Sequence, residues 1–195
     1  SEDLFLRSNV VSDGKNHGFV MFIDWSGSMA PNMSNTIDQL MLIAMFCKKV
    51  NIPFDVFAFT TAFGRGDDER GSYKFENRTK GDLVINGEFK LLHLISSTVS
   101  TAKFNTSMMH LRWMRNGMSY DSYDSNVISN NLRLGGTPLN EAIVSAFEIV
   151  PMFQKKNKVQ IVNTIFLTDG QGSRLGGHWN YDNDGNWMRD SASYK

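Results

Sequence analysis

Six residues without a polar side chain, Gly18-Phe19-Val20-Met21-Phe22-Ile23, run straight into Asp24-Trp25-Ser26-Gly27-Ser28. A continuous apolar run, as opposed to an alternating one, is the pattern of a strand buried on both faces, like the central strands of parallel sheets. Such a strand needs cover above and below it, which commits the chain to layers of helix and sheet. The segment after the run is equally specific. A carboxylate and two hydroxyls at alternate positions, where a buried strand gives way to a loop, offer a hard divalent cation three oxygen ligands from one short turn.

The rest of the chain supplies the layers. From Ser34 to Val50 the residues Ile37, Leu40, Met41, Ala44, Cys47 and Val50 recur at helical spacing, and Asn51-Ile52-Pro53 ends the run. Phe54 to Thr60 reads as a second strand, parallel to the first and next to it, because strand-helix-strand over this length is a crossover unit. Residues 61 to 82 are polar, glycine-bearing and without periodicity, the mark of a surface excursion. Asn86-Gly87 is a turn signal before a third strand, Phe89 to Ile95. Met108, Leu111 and Met114 place a helix over Phe104 to Met118, and Tyr120 to Asn131 reads as loop. Thr137-Pro138 opens a further helix with Leu139, Ala142, Ile143, Ala146, Phe147 and Val150 inward, until Pro151 ends or kinks it. Val159 to Leu167, rich in β-branched residues, is a fourth strand, and Thr168-Asp169-Gly170 comes directly after it. The expected fold is α/β with a mainly parallel sheet and helices on both faces.

In an open parallel sheet the ligand site lies outside the carboxyl ends of the strands, near the point where strand order reverses. Asp24 leaves the first strand there, Asp169 leaves the fourth, and Thr137 opens the helix that leads into the fourth. Three segments far apart in sequence thus converge on one rim. A D-x-S-x-S match alone is modest evidence, since roughly one chain of this size in twenty would show it by chance, and Ser26 and Ser28 could merely cap the next helix. The joint occurrence of a buried strand before it, Gly135-Gly136-Thr137-Pro138-Leu139 entering a helix, and Leu167-Thr168-Asp169-Gly170 ending a strand makes coincidence a poor account.

Together, from residue 18 to about 172, these three motifs resemble the metal-ion-dependent adhesion site of von Willebrand factor A domains in order, spacing and strand-end placement. The resemblance implies a Rossmann-like fold and a Mg2+ ion, or Mn2+ in its place. Ser26, Ser28 and Thr137 would be direct ligands, with Asp24 and Asp169 holding coordinated waters and orienting the serines. Magnesium suits such a set, because it demands octahedral oxygen geometry and keeps its waters. Two carboxylates against a doubly charged ion leave it attracting a further anion, and a sixth position would accept a glutamate or aspartate from a partner protein. Within the family, Val20 to Met29, Gly136 to Ala142 and the Lys-rich turn before Val159 look like the A domains of cobaltochelatase T-type subunits and their bacteriophage relatives. Those work beside a ring-forming AAA+ ATPase of the MoxR or cobaltochelatase S type, which implies such a partner here or membership of a chelatase complex. Family members continue with two further strand-helix elements after the Thr-Asp-Gly motif, whereas residues 171–195 are rich in Gly, Asn and Asp. The expectation is a fragment or an abbreviated sheet whose fourth strand has an open edge. The start at Ser1 fits excision from a longer protein. The expected organisation is a single domain over 1–195, with a core at 18–172, an insertion at about 61–134 and a polar C-terminal segment at 173–195.

Composition narrows the partners. Hydrophobic residues at 41% and charged residues at 21% are ordinary for a soluble globular protein, and 195 residues suit one domain. With 20 acidic and 20 basic residues, nothing in the net charge calls for nucleic acid or an anionic membrane. No apolar run reaches the length of a membrane span. The single Cys47 cannot form an internal disulfide and favours a reducing compartment. The expected location is the cytoplasm, that of a bacterial host if the chain is phage-encoded.

Competing chemistries fit less well, and no catalytic residue is assigned. A phosphohydrolase of the haloacid dehalogenase type needs a second carboxylate where Ser26 stands, and a serine hydrolase elbow needs glycine where Asp24 stands. His17, His93, His110 and His178 lack metal-binding spacing, so structural roles are expected for His17 and His93. Asn180-Tyr181-Asp182-Asn183-Asp184-Gly185 matches half of a calcium loop, but Ser191 replaces the closing glutamate, and a β-hairpin between Trp179 and Trp187 is the better reading. Arg65-Gly66-Asp67 reads as a surface turn. Met41, Met45, Met108 and Met114 at helical spacing read as core filling.

Overall fold

The computed structural model describes residues 16–61, 89–118, 132–170, 172, 178–181 and 187–190. The surface excursion from 62 onward with its Arg65-Gly66-Asp67, the Asn86-Gly87 turn, the loop before Asn131 and most of 173–195 lie outside the described residues. The elements are β1 (His17–Asp24), α1 (Ala30–Lys49), β2 (Phe54–Thr61), β3 (Phe89–Ser96), α2 (Thr101–Gly117), α3 (Leu139–Asn157), β4 (Ile161–Leu167), β5 (His178–Tyr181) and β6 (Trp187–Asp190). The expected α/β class holds: four strands form a mostly parallel mixed sheet in the order β3-β2-β1-β4. β2 and β4 flank β1 in parallel, and β3 closes the other edge antiparallel to β2. β3 and α2 both fall within 61–134 and belong to the sheet and its core.

β1 is buried on both faces, as its apolar run requires. Met21 and Ile23 pack into one cluster with Ile37, Leu40 and Ala44 of α1 and Leu111 of α2. Val20 and Phe22 point the other way, into a second cluster with Ala142, Ala146 and Phe153 of α3. Helices therefore cover both faces, and the strand's period-2 alternation divides the core between them. Across the α3 face the rings of Phe166, Phe22, Phe57 and His93 stack strand to strand, with centroids 4.8, 5.6 and 4.6 Å apart. His93 also meets Asp55 at 3.2 Å, which gives it the structural role expected of it.

Helix ends explain how the chain returns to the sheet. Pro31 lies in the first turn of α1, where its missing N–H costs nothing, so the helix starts earlier than Ser34. At the far end Asn51 takes the left-handed conformation at φ 59° and the Ile52 amide donates to the Cys47 carbonyl, a Schellman closure that feeds β2. α2 likewise begins before Phe104, because the Ser100 hydroxyl accepts from the Lys103 amide. α3 runs through Pro151 to Asn157, so that proline does not end it. Its last turn is held by Phe153, buried against Gly18, where a Cβ would come within 2.7 Å of the ring.

The β4 side is different. Residues paired in register share a face, so Ile165 and Leu167 lie beside Met21 and Ile23. Met21 and Ile23 are 2% and 1% exposed, whereas Ile165 and Leu167 are 36% and 41% exposed. On α3, Ile143 and Phe147 were expected inward but are exposed, because they overhang this edge. Met45 on α1 and Val50, just past its end, are exposed too, in contrast to the buried Met114 and the partly buried Met41 and Met108. β5 and β6 form an antiparallel pair with Trp179 opposite Arg189, the hairpin expected in place of a calcium loop. Among the described residues no helix is long and apolar enough to cross a membrane.

Candidate metal centre

β1 lies where the strand order reverses. Its sequel α1 leads to β2 on one side, whereas α3, on the opposite face, leads to β4 on the other. The carboxyl ends of β1 and β4 therefore border the crevice in which open α/β sheets bind ligands.

Asp24, the last residue of β1, is fully buried. Past it the chain is clamped from three directions. The Trp25 amide donates to the Phe59 carbonyl, the Trp25 indole N–H to the Leu132 carbonyl at 2.8 Å, and the Thr60 hydroxyl to the Trp25 carbonyl at 2.8 Å. Ser26 pairs with Gly135 in an isolated parallel bridge, with the Gly135 amide on the Trp25 carbonyl and the Gly27 amide on the Gly135 carbonyl. Only glycine fits at 135, since a Cβ would lie 2.5 Å from both the Thr60 hydroxyl and the Thr61 carbonyl. The Gly136 amide then donates to the Thr61 hydroxyl at 2.8 Å. Thr60 and Thr61, adjacent hydroxyls closing β2, are site-building residues that sequence reasoning missed; the paired threonines at a strand's carboxyl end were the available signal.

Three of the five candidate residues meet directly, and a fourth joins them through a neighbour. Ser26 occupies the cap position of a short 3-10 turn, Gly27–Met29, yet makes no capping hydrogen bond. Its hydroxyl lies 3.0 Å from that of Ser28 instead, and the Ser28 hydroxyl donates to Asp169 Oδ1 at 3.0 Å. The capping explanation for these serines is thus set aside. Asp24 joins through Thr168, whose hydroxyl donates to Oδ2 at 2.7 Å. In the sequence Thr168 stands out only as part of the Thr-Asp-Gly motif; its place next to Asp169 at a strand end was the hint. Thr137, half-buried, precedes the first turn of α3. Its loop is tied to the site by the Gly135 bridge, but among the described residues no hydrogen bond joins its hydroxyl to the other four. Gly172, beyond Asp169, packs against Leu139 with room for no side chain, its would-be Cβ 2.8 Å away, so the loop after β4 meets the start of α3.

The electrostatics point toward a cation. Burial pushes the Asp24 carboxyl above its ordinary range, and the Asp169 carboxylate adds to the effect; hydrogen bonds from Thr168 and Ser26 oppose it. Among the described residues Asp24 Oδ1 is buried and has no hydrogen-bond partner, a state that proteins avoid unless something else completes it. Among the described residues no three His, Cys, Asp or Glu side chains cluster, so the donor set is two carboxylates plus hydroxyls. That all-oxygen set fits a hard cation such as Mg2+ and not zinc. Cys47, free and buried, has its thiol pushed up by burial and offers no ligand here.

No protein-family model, curated protein or solved structure matches the chain.

Proposed function

We propose that this chain is a von Willebrand factor A-type domain that binds Mg2+ and, through it, an acidic side chain of a partner protein. The observation that carries the reading is the coupling of Ser26, Ser28 and Asp169 by successive hydrogen bonds, beside a buried Asp24 with one oxygen unsatisfied. The hydroxyls of Ser26, Ser28 and Thr137 would hold the ion, while Asp24 and Asp169 would hold its waters. The ion supplies a Lewis-acidic position for a carboxylate, and the chain itself performs no bond-breaking step. A partner class comes from the same resemblance: an AAA+ ATPase of the MoxR or cobaltochelatase S type, with a chelatase complex as one setting.

The test uses Mn2+ as a spectroscopic substitute. Addition of the chain should remove the signal of free Mn2+ in electron paramagnetic resonance, with Mg2+ competing. N-acetylglutamate amide should then lower the water-proton relaxation of the bound Mn2+ by displacing a coordinated water, whereas the glutamine analogue should not. Failure to bind Mn2+, or relaxation indifferent to the carboxylate, refutes the proposal.

A further inference from the structure

A cleft of about 360 Å³ lies between α1 and the carboxyl end of β4. Met29 and Leu40, both buried core residues, line it together with the exposed Ile43 and Leu167. Asn35 and Gln39, one helical turn apart on α1, contribute uncharged amides. The same cleft reaches Thr168 and Asp169. It therefore opens directly onto the candidate metal centre, and Asp169 belongs to both.

We infer that this cleft is the selectivity pocket of that centre, taking an apolar side chain of the partner next to the acidic residue that reaches the metal. The inference rests on the proposed Mg2+-dependent reading. A carboxylate on the ion gives attraction but no discrimination, because any exposed glutamate or aspartate could supply it. Discrimination needs a second contact within a few residues of the first, and continuity through Asp169 places the cleft there. Its apolar floor suits a leucine, isoleucine, methionine or phenylalanine side chain. The amides of Asn35 and Gln39 can donate to and accept from a peptide backbone without calling for a charge. The occupant is accordingly an extended protein segment with one acidic and one bulky apolar residue. The uncovered Leu167, beside the fully covered Ile23, is the surface that such a residue would remove from water.

Panning a phage library of random dodecapeptides on the full chain in Mg2+, with elution by chelator, tests this. The expected sequences carry an acidic residue and, at constant spacing, an apolar one. On the double variant Ile43→Ser, Leu167→Ser the acidic residue should persist and the apolar companion vanish. Peptides selected on the native chain should bind the double variant about 10-fold more weakly. An acidic residue without a companion on the native chain, or a companion that survives in the double variant, overturns the inference while leaving the metal reading intact. Nothing eluted by chelator removes both. Both substituted residues are exposed, so a large fall in the variant's melting temperature would show that this chain itself fills the cleft. A native dimer that the variant breaks would assign the cleft to a second copy. Either result overturns the inference.

Discussion

β1 and β4 are hydrogen-bonded neighbours in one sheet, each delivering an aspartate to the same site, and they stand in opposite environments. β1 is covered on both faces, and Asp24 at its end is fully buried, its carboxyl raised by desolvation. Among the described residues β4 is an edge strand, with Ile165 and Leu167 exposed, and Asp169 after it is exposed as well. One carboxylate is held in the fixed wall of the site and the other stands in water. A buried wall fixes geometry at the cost of desolvation, and an exposed one stays hydrated and open to a partner. The contrast is tested most severely in the core. Phe22→Ala, which removes a fully buried ring stacked on Phe57 and Phe166, should destabilise the fold by about 4 kcal/mol. Ile165→Ala on β4 should cost roughly 1 kcal/mol, because its side chain is already partly in water. Equal losses in denaturant titrations would erase the distinction.

The two aspartates should differ in metal affinity in the same sense. Asp24→Ala should weaken Mn2+ binding about 100-fold and Asp169→Ala about 10-fold, the two ends of the range for groups that orient a metal's ligands and waters. Electron paramagnetic resonance titration measures both; a larger effect at Asp169 would make the exposed wall the principal one.

Legibility in the sequence divides along the same line. The buried strand and its terminal Asp24 were readable because burial on both faces leaves one unbroken apolar run; β2 was readable for a similar reason, whereas the exposed β4 was readable from its β-branched residues. The convergence of Asp24, Ser26, Ser28 and Asp169 came from topology, since strand ends at a reversal of order must meet. Tertiary cover decided the features that escaped. Ile143 and Phe147 have helical spacing whether or not a strand lies beneath them, so their exposure is invisible to periodicity. Pro151 signals an end or a kink, yet the helix runs on past it to Asn157, with Phe153 packed on Gly18. The hydroxyls of Thr60, Thr61 and Thr168 act on backbone or carboxylate groups distant in sequence; their strand-end positions hint at a role, but the partner of each is set by tertiary structure.

Glycines sharpen the comparison at a smaller scale. Gly135→Ala forces a Cβ against the backbone at the end of β2 and should destabilise the fold by about 2 kcal/mol while weakening Mn2+ binding, because the Thr137 loop hangs on that bridge. Gly170→Ala, on the β4 side, meets nothing within 4 Å and should change stability by less than about 0.5 kcal/mol. Thermal unfolding of the two variants separates a tight end of the sheet from an open one, and matching losses would deny that difference.

The smallest effect is a slope. An acid whose carboxyl is raised in the folded state keeps a proton there that the unfolded chain has released. The Asp24 contribution to the stability of the metal-free chain is therefore greatest below the ordinary carboxylate range. It is lost as pH rises through the raised value and stays constant above it. Asp24→Asn abolishes this contribution, so the native-minus-variant difference in unfolding free energy, measured in chelator, should fall with rising pH across that window. Saturating Mg2+ should reverse the trend, since the ion favours the ionised carboxylate and binds more tightly as the proton leaves. Parallel pH profiles for the two proteins in chelator would mean that burial does not burden Asp24, and with that the contrast between the fixed wall and the hydrated one would lose its electrostatic half.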